Sequence, residues 1–82
     1  MKANKANPKK IDDAVLALLH LTSFRENKES LFRAWKGHDW ETMERLPKKR
    51  FISDPECKAK SVVMTEEGTR RAEELFLRLV CE

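Results

Sequence analysis

The apolar positions of this chain change period along its length, and each change marks an element. The clearest pattern is the last: Ala72, Leu75, Phe76 and Leu79 follow the i, i+3, i+4, i+7 rule, which commits one face of a helix to a core. Thr65 is a good N-cap for that helix, because its hydroxyl can accept a bond from an orphan first-turn amide, and Glu66 and Glu67 sit at the positive end of the dipole. Just upstream, Lys60-Ser61-Val62-Val63-Met64-Thr65 has the β-branched content of a strand, and Phe51-Ile52-Ser53 is the nearest partner for its backbone groups. Asp54-Pro55 sets a type I turn, so residues 54–59 link two short strands.

The first half is more helical. Asn7-Pro8 offers an N-cap followed by N1, and a helix runs from there to about Thr22. Ile11, Ala14, Val15, Leu18, Leu19 and Thr22 make one face, Leu16 and Leu21 widen it, and Asp13, Ala17 and His20 remain for solvent. Glu29 to Trp35 reads either as a short helix with a Glu29–Arg33 pair or as ending in a strand at Arg33-Ala34-Trp35. Gly37 turns the chain and Asp39 caps the next helix, in which Trp40, Met43 and Leu46 point inward. Pro47 lacks an amide hydrogen and should stop or kink that helix. The predicted core is Ile11, Val15, Leu18, Leu19, Trp40, Met43, Leu46, Val63, Leu75, Phe76 and Leu79.

With 82 residues the chain makes one small domain, able to remove roughly 60% of its unfolded surface from water. Its net charge of +3 is a property of the tail: Lys2, Lys5, Lys9 and Lys10 stand apart from 13 basic and 14 acidic side chains in residues 11–82. Residues 1–9 therefore read as a disordered basic tail and 10–82 as the folded domain. The apolar run from Ile11 is too short to span a membrane, and Cys57 and Cys81 form no CxxC pair and follow no secretory leader, so a cytoplasmic setting is expected.

Helix, short helix or strand, helix, hairpin, helix is the order of a winged helix-turn-helix, a mainly α fold with a small β-hairpin. LPKKRFISDPECKAKSVVMTEEGTRRAEELF resembles the wing and final helix of the multiple-antibiotic-resistance regulators. RAWKGHDWETMERL with FISDP and KAKSVVMTEEG more closely resembles a family of small bacterial stand-alone domains of unknown function, a match that covers about Ile11 to Leu79 and implies a fold without an activity. Where members of that family carry Glu-Lys-Gly after the helix, Arg50 takes the glycine's place. The resemblance thus implies a left-handed cap, in which Arg50 adopts positive φ or the helix end is rebuilt.

Catalysis finds little support: His20 and His38 have no nucleophile at a recognisable spacing, the carboxylate pairs have helix-start or ion-pair roles, and no enzyme, cofactor or small-molecule substrate is expected. Cys57, Cys81 and the two histidines lack the paired spacing of a zinc site. Glu66–Arg70, Glu67–Arg71 and Glu74–Arg78 are expected to pair at i, i+4. Two functional readings stand. One is duplex-DNA binding through Lys48, Lys49, Arg50, Lys58 and Lys60, although the helix from Asp39 is net negative. The other is a protein-interaction or homodimerisation module using Trp35 or the back of the last helix at Leu77, Val80 and Cys81, since the resemblance to the regulators implies pairing of terminal helices.

Overall fold

The computed structural model describes residues 7–81. Helix α1 spans Pro8–Leu21, strand β1 Arg33–Trp35, helix α2 Trp40–Lys48, strand β2 Ser61–Val63 and helix α3 Glu66–Leu79. This is the α+β class expected, three helices with a two-stranded antiparallel sheet, in an order consistent with a winged helix. Among the described residues, no helix is long and apolar enough to cross a membrane.

Asn7 caps α1 by accepting from the Lys9 amide at 2.9 Å, with Pro8 at the first helical position. Pro8 and Lys9, assigned to the tail by composition, are thus helical, and residues 1–6 of that tail lie outside the described residues. The buried face of α1 is Asp12, Val15, Leu16, Ala17 and Leu19. It is rotated from the predicted one: Leu18 is exposed and Ala17 is buried. A helix apolar on nearly every side has no single stripe to orient it, so a specific contact decides. That contact is Asp12, whose carboxylate is held at 2.7 Å by both Arg45 and Lys49 of α2.

Residues 33–35 form the strand rather than the helix. β1 and β2 run antiparallel with Arg33 opposite Val63, Ala34 opposite Val62 and Trp35 opposite Ser61. The predicted partner of β2, Phe51-Ile52-Ser53, keeps one bridge between Ile52 and Met64 and a 2.8 Å bond from the Ser53 amide to the Val63 carbonyl. β2 therefore lies between two neighbours, and Phe24 extends the far side of β1 by exchanging bonds of 2.9 and 2.7 Å with Arg33. Side chains alternate across a strand, so Ala34, Val62 and Met64 face the core and Val63, predicted there, is only half-buried.

Asp39 caps α2, and Thr42, Met43 and Leu46 form its buried face. Trp40 is 48% exposed, contrary to expectation. Each three-residue step falls short of a full turn by about 60°, so Trp40 drifts off the face centred on Met43 and Leu46. Pro47 lies inside α2, and the helix closes one residue later in a Schellman cap: the Phe51 amide donates to Leu46 O at 3.1 Å and the Arg50 amide to Pro47 O at 2.9 Å. Arg50 takes φ 65°, the positive value that the missing glycine implied.

Thr65 caps α3 by accepting from the Gly68 amide at 2.8 Å while its hydroxyl donates to Arg50 O at 2.8 Å. Gly68 is buried so closely on the preceding segment that a Cβ there would stand 1.9 Å from the Phe51 carbonyl oxygen. Ala72 and Leu75 are buried, and Phe76 packs at the core's edge against His20 with ring centroids 4.9 Å apart. Leu79, predicted as core, is 56% exposed because it is the last residue of α3. The ion pair on α3 among the described residues is Arg71–Glu74 at 2.9 Å, an i, i+3 pair, in place of the three i, i+4 pairs expected.

Candidate nucleic-acid interface

The run Lys48-Lys49-Arg50 looks like one cationic feature in sequence, and the end of α2 divides it. Lys49 turns toward α1, its Nζ 2.7 Å from Asp12 Oδ2. Lys48 lines a cleft of about 360 Å³ with Glu44, Pro47, Asp54, Pro55 and Glu56, three of which carry carboxylates. Arg50 is exposed, but its backbone is committed to the cap and to Thr65.

Behind Lys49 lies a polar network that binds α1 to α2. Arg45 Nε donates to Asp12 Oδ1 at 2.8 Å, Arg45 Nη2 donates to Thr42 Oγ1 at 3.2 Å, and Thr42 Oγ1 donates to Asp39 Oδ2 at 2.8 Å. Burial works to raise the pKa of the Asp12 carboxyl, but the hydrogen bonds and charges of Arg45 and Lys49 outweigh it and hold the group below its ordinary range. Arg45 is shifted upward by its bond to the same carboxylate. Of the two roles expected of the Asp12-Asp13 pair, helix start or ion pair, Asp12 takes the ion pair, with partners the sequence did not name. An Asp inside an otherwise apolar helix face was the available signal, because a buried carboxylate requires a partner.

The other two predicted contacts, Lys58 and Lys60, are exposed in the wing, the segment of residues 54–60 that leads into β2. The pairing of β1 with β2 adds Arg33 and Lys36 beside them, two cations that sequence reasoning had not grouped with the wing. Arg33 Nε donates to Ser61 Oγ at 2.8 Å, and the Lys36 amide donates to Lys60 O at 3.1 Å. The Lys36 ammonium reaches across the wing to the carbonyls of Pro55 at 2.6 Å and Cys57 at 2.7 Å, fixing the loop that carries Lys58. The paired segments, residues 30–38 and 57–65, hold four cations and no carboxylate.

Trp35 is 57% exposed on the outer side of this sheet. Its ring lies over Gly37, where a Cβ would stand 2.3 Å from Cη2, and meets His38 edge-on with centroids 6.2 Å apart. His38 Nε2 is buried without a hydrogen-bond partner, and burial pushes the imidazole below its ordinary pKa. Leu77, Val80 and Cys81 are exposed at the far end of α3. Among the described residues, no three His, Cys, Asp or Glu side chains converge as metal ligands.

The chain is 57% identical over 70 residues to a protein of Sinorhizobium fredii described as uncharacterized protein y4hR, covering 85% of this chain and 88% of that one. No solved structure matches. The family model matching residues 7–82 is that of a domain of unknown function, DUF6429, and the chain belongs to that family.

Proposed function

We propose that the domain binds nucleic acid through the cations of its paired strands and wing, with Lys58 and Lys60 meeting phosphates. The observation that carries this reading is the acid-free pairing of residues 30–38 with 57–65, which holds Arg33, Lys36, Lys58 and Lys60. Phosphate attraction needs local positive charge rather than net charge, so a near-neutral body is no obstacle. Insertion of α2 into a major groove is disfavoured, since Asp39, Glu41 and Glu44 are exposed there. Arg50 is the member of the Lys48–Arg50 run best placed to assist. The test is fluorescence anisotropy of labelled DNA at two salt concentrations. Binding at low salt that weakens steeply with salt supports the reading, and a Lys58→Ala/Lys60→Ala variant should lower the log–log slope by up to about two units on duplex DNA. No binding by the parent at low salt would remove it.

A second reading, self-association, is favoured by α1. Its solvent-facing positions Ala14, Leu18 and Leu21 form an i, i+4, i+7 strip without a polar residue, and a helix apolar all round is ordinarily covered. The His20–Phe76 contact sets the last turn of α1 level with the last turns of α3, so Leu79 and Val80 stand at the same end. Sedimentation velocity up to high micromolar concentration tests it: a mass that doubles in the parent and stays single in Leu21→Lys supports pairing there.

A further inference from the structure

The strand pair that carries the cations also carries an exposed aromatic side chain, with Arg33 on the same side of β1 and Lys58 and Lys60 on the neighbouring backbone, and that combination narrows the kind of nucleic acid. We propose that this face binds single strands, with a base stacking on the Trp35 indole while Lys58 and Lys60 contact the flanking phosphates. The inference rests on the nucleic-acid reading above and adds the strand form and the stacking residue.

Three observations carry it. First, the indole is both open and positioned. It is 57% exposed, yet its underside is filled by the Gly37 backbone and its edge is met by His38. An exposed tryptophan free to change rotamer would lose entropy on stacking, whereas one already seated presents a ready-made platform. Second, Trp35 is the Cα partner of Ser61, and the Lys36 amide is bonded to Lys60 O, so the wing backbone that carries Lys58 and Lys60 runs directly beside the ring. Third, the neighbouring cations Arg33 and Lys36 are held by hydrogen bonds to Ser61 and to the wing carbonyls, and no carboxylate lies in either strand segment. Single-strand sites combine these parts: a cationic track for the backbone and an aromatic face that any base can use. In a duplex the bases are already stacked on one another and offer the indole no face. An acidic peptide could satisfy the cations, but it gives the indole no planar partner.

The experiment compares a labelled single strand of about 12 nucleotides with the duplex of the same length at low salt, using the intact protein. The expected result is tighter binding of the single strand by at least about tenfold. Trp35→Ala should weaken single-strand binding by roughly 5- to 150-fold, the range for loss of one stacking contact, and leave duplex binding unchanged. Trp35→Phe should retain much of the affinity, which a merely structural role would not explain. In a Trp40→Phe background, the remaining Trp35 fluorescence should be quenched on titration with the single strand. Lys58→Ala/Lys60→Ala should reduce the salt slope by up to about 1.4 units, at about 0.7 per phosphate. Equal affinity for duplex and single strand with no effect of Trp35→Ala would overturn this inference while leaving the nucleic-acid reading intact. Absence of binding to either form would overturn both. Binding of poly-glutamate as tight as the single strand, with the same dependence on Trp35, would overturn it in favour of an acidic protein partner.

Discussion

The end of α2 and the β1–β2 pair with its adjoining loop are both rich in cations, and the fold treats them in opposite ways. Lys48, Lys49 and Arg50 are adjacent in the chain and take separate places: Lys48 lines a cleft with Glu44, Asp54 and Glu56, Lys49 pairs with the buried Asp12, and Arg50 holds the left-handed position of the helix cap. Arg33, Lys36, Lys58 and Lys60 are up to 27 positions apart and are brought together by strand pairing. Consecutive residues at a helix end point about 100° apart, so a basic run there disperses its charge. Antiparallel strands set distant residues side by side. The first region is a structural junction; in the second Arg33 and Lys36 are held by hydrogen bonds and leave Lys58 and Lys60 exposed.

The contrast can be broken most severely at the junction. Gly68→Ala would push a Cβ into the Phe51 carbonyl oxygen, a backbone atom just after the α2 cap, and should cost upward of about 4 kcal/mol, the exceptional end for a single substitution. For a domain this small that is most of its stability, so urea titration followed by circular dichroism should find the variant largely unfolded. A midpoint near that of the parent would mean that α3 is not seated on this segment.

Asp12→Ala comes next. It strips Arg45 and Lys49 of their shared acceptor and should cost about 1–3 kcal/mol, with both cations able to turn toward water. If the division of the basic run is correct, the same variant binds polyanions more tightly than the parent, since Lys49 is released. Lys58→Ala/Lys60→Ala should do the reverse, changing stability by less than about 0.5 kcal/mol and weakening nucleic-acid binding. A Lys48→Ala/Lys49→Ala variant that loses more binding than the wing variant would collapse the distinction.

Acid should reach the two regions at different pH. His38, beside Trp35, has a lowered pKa when folded; its contribution is present above its ordinary value of 6.5 and is lost as pH falls through the lowered one. Asp12 is also lowered, so its contribution is present above its ordinary value of 3.8 and is lost as pH falls through the lower folded value. Melting temperature should therefore decline first just below pH 6.5 and again below pH 3.8. His38→Gln should abolish the first decline and leave the second. The smallest expected effect is a gain. Arg50→Gly relieves a side chain at φ 65° and should stabilise by about 0.5–1 kcal/mol.

The chain by itself determined where its three helices are capped and which face α3 buries. Asn7, Asp39 and Thr65 cap the helices as their side chains predict, and the stripe through Ala72 and Leu75 turns inward. These are local matters: a cap bonds within three residues, and a helix with one apolar stripe can satisfy it in only one orientation. The left-handed Arg50 was one of two outcomes that the family resemblance implied. Only the tertiary structure decided the rotation of α1, the main partner of β2 and the grouping of cations. Apolar side chains surround α1 and cannot orient it, so the buried Asp12 does so through residues 33 and 37 positions away. A strand's backbone groups accept any partner of suitable register, and β2 takes β1 at 28 residues' separation as well as the nearer Ile52. Charge position follows from that choice, which is why Arg33 and Lys36 join the expected Lys58 and Lys60 only once the strands have paired.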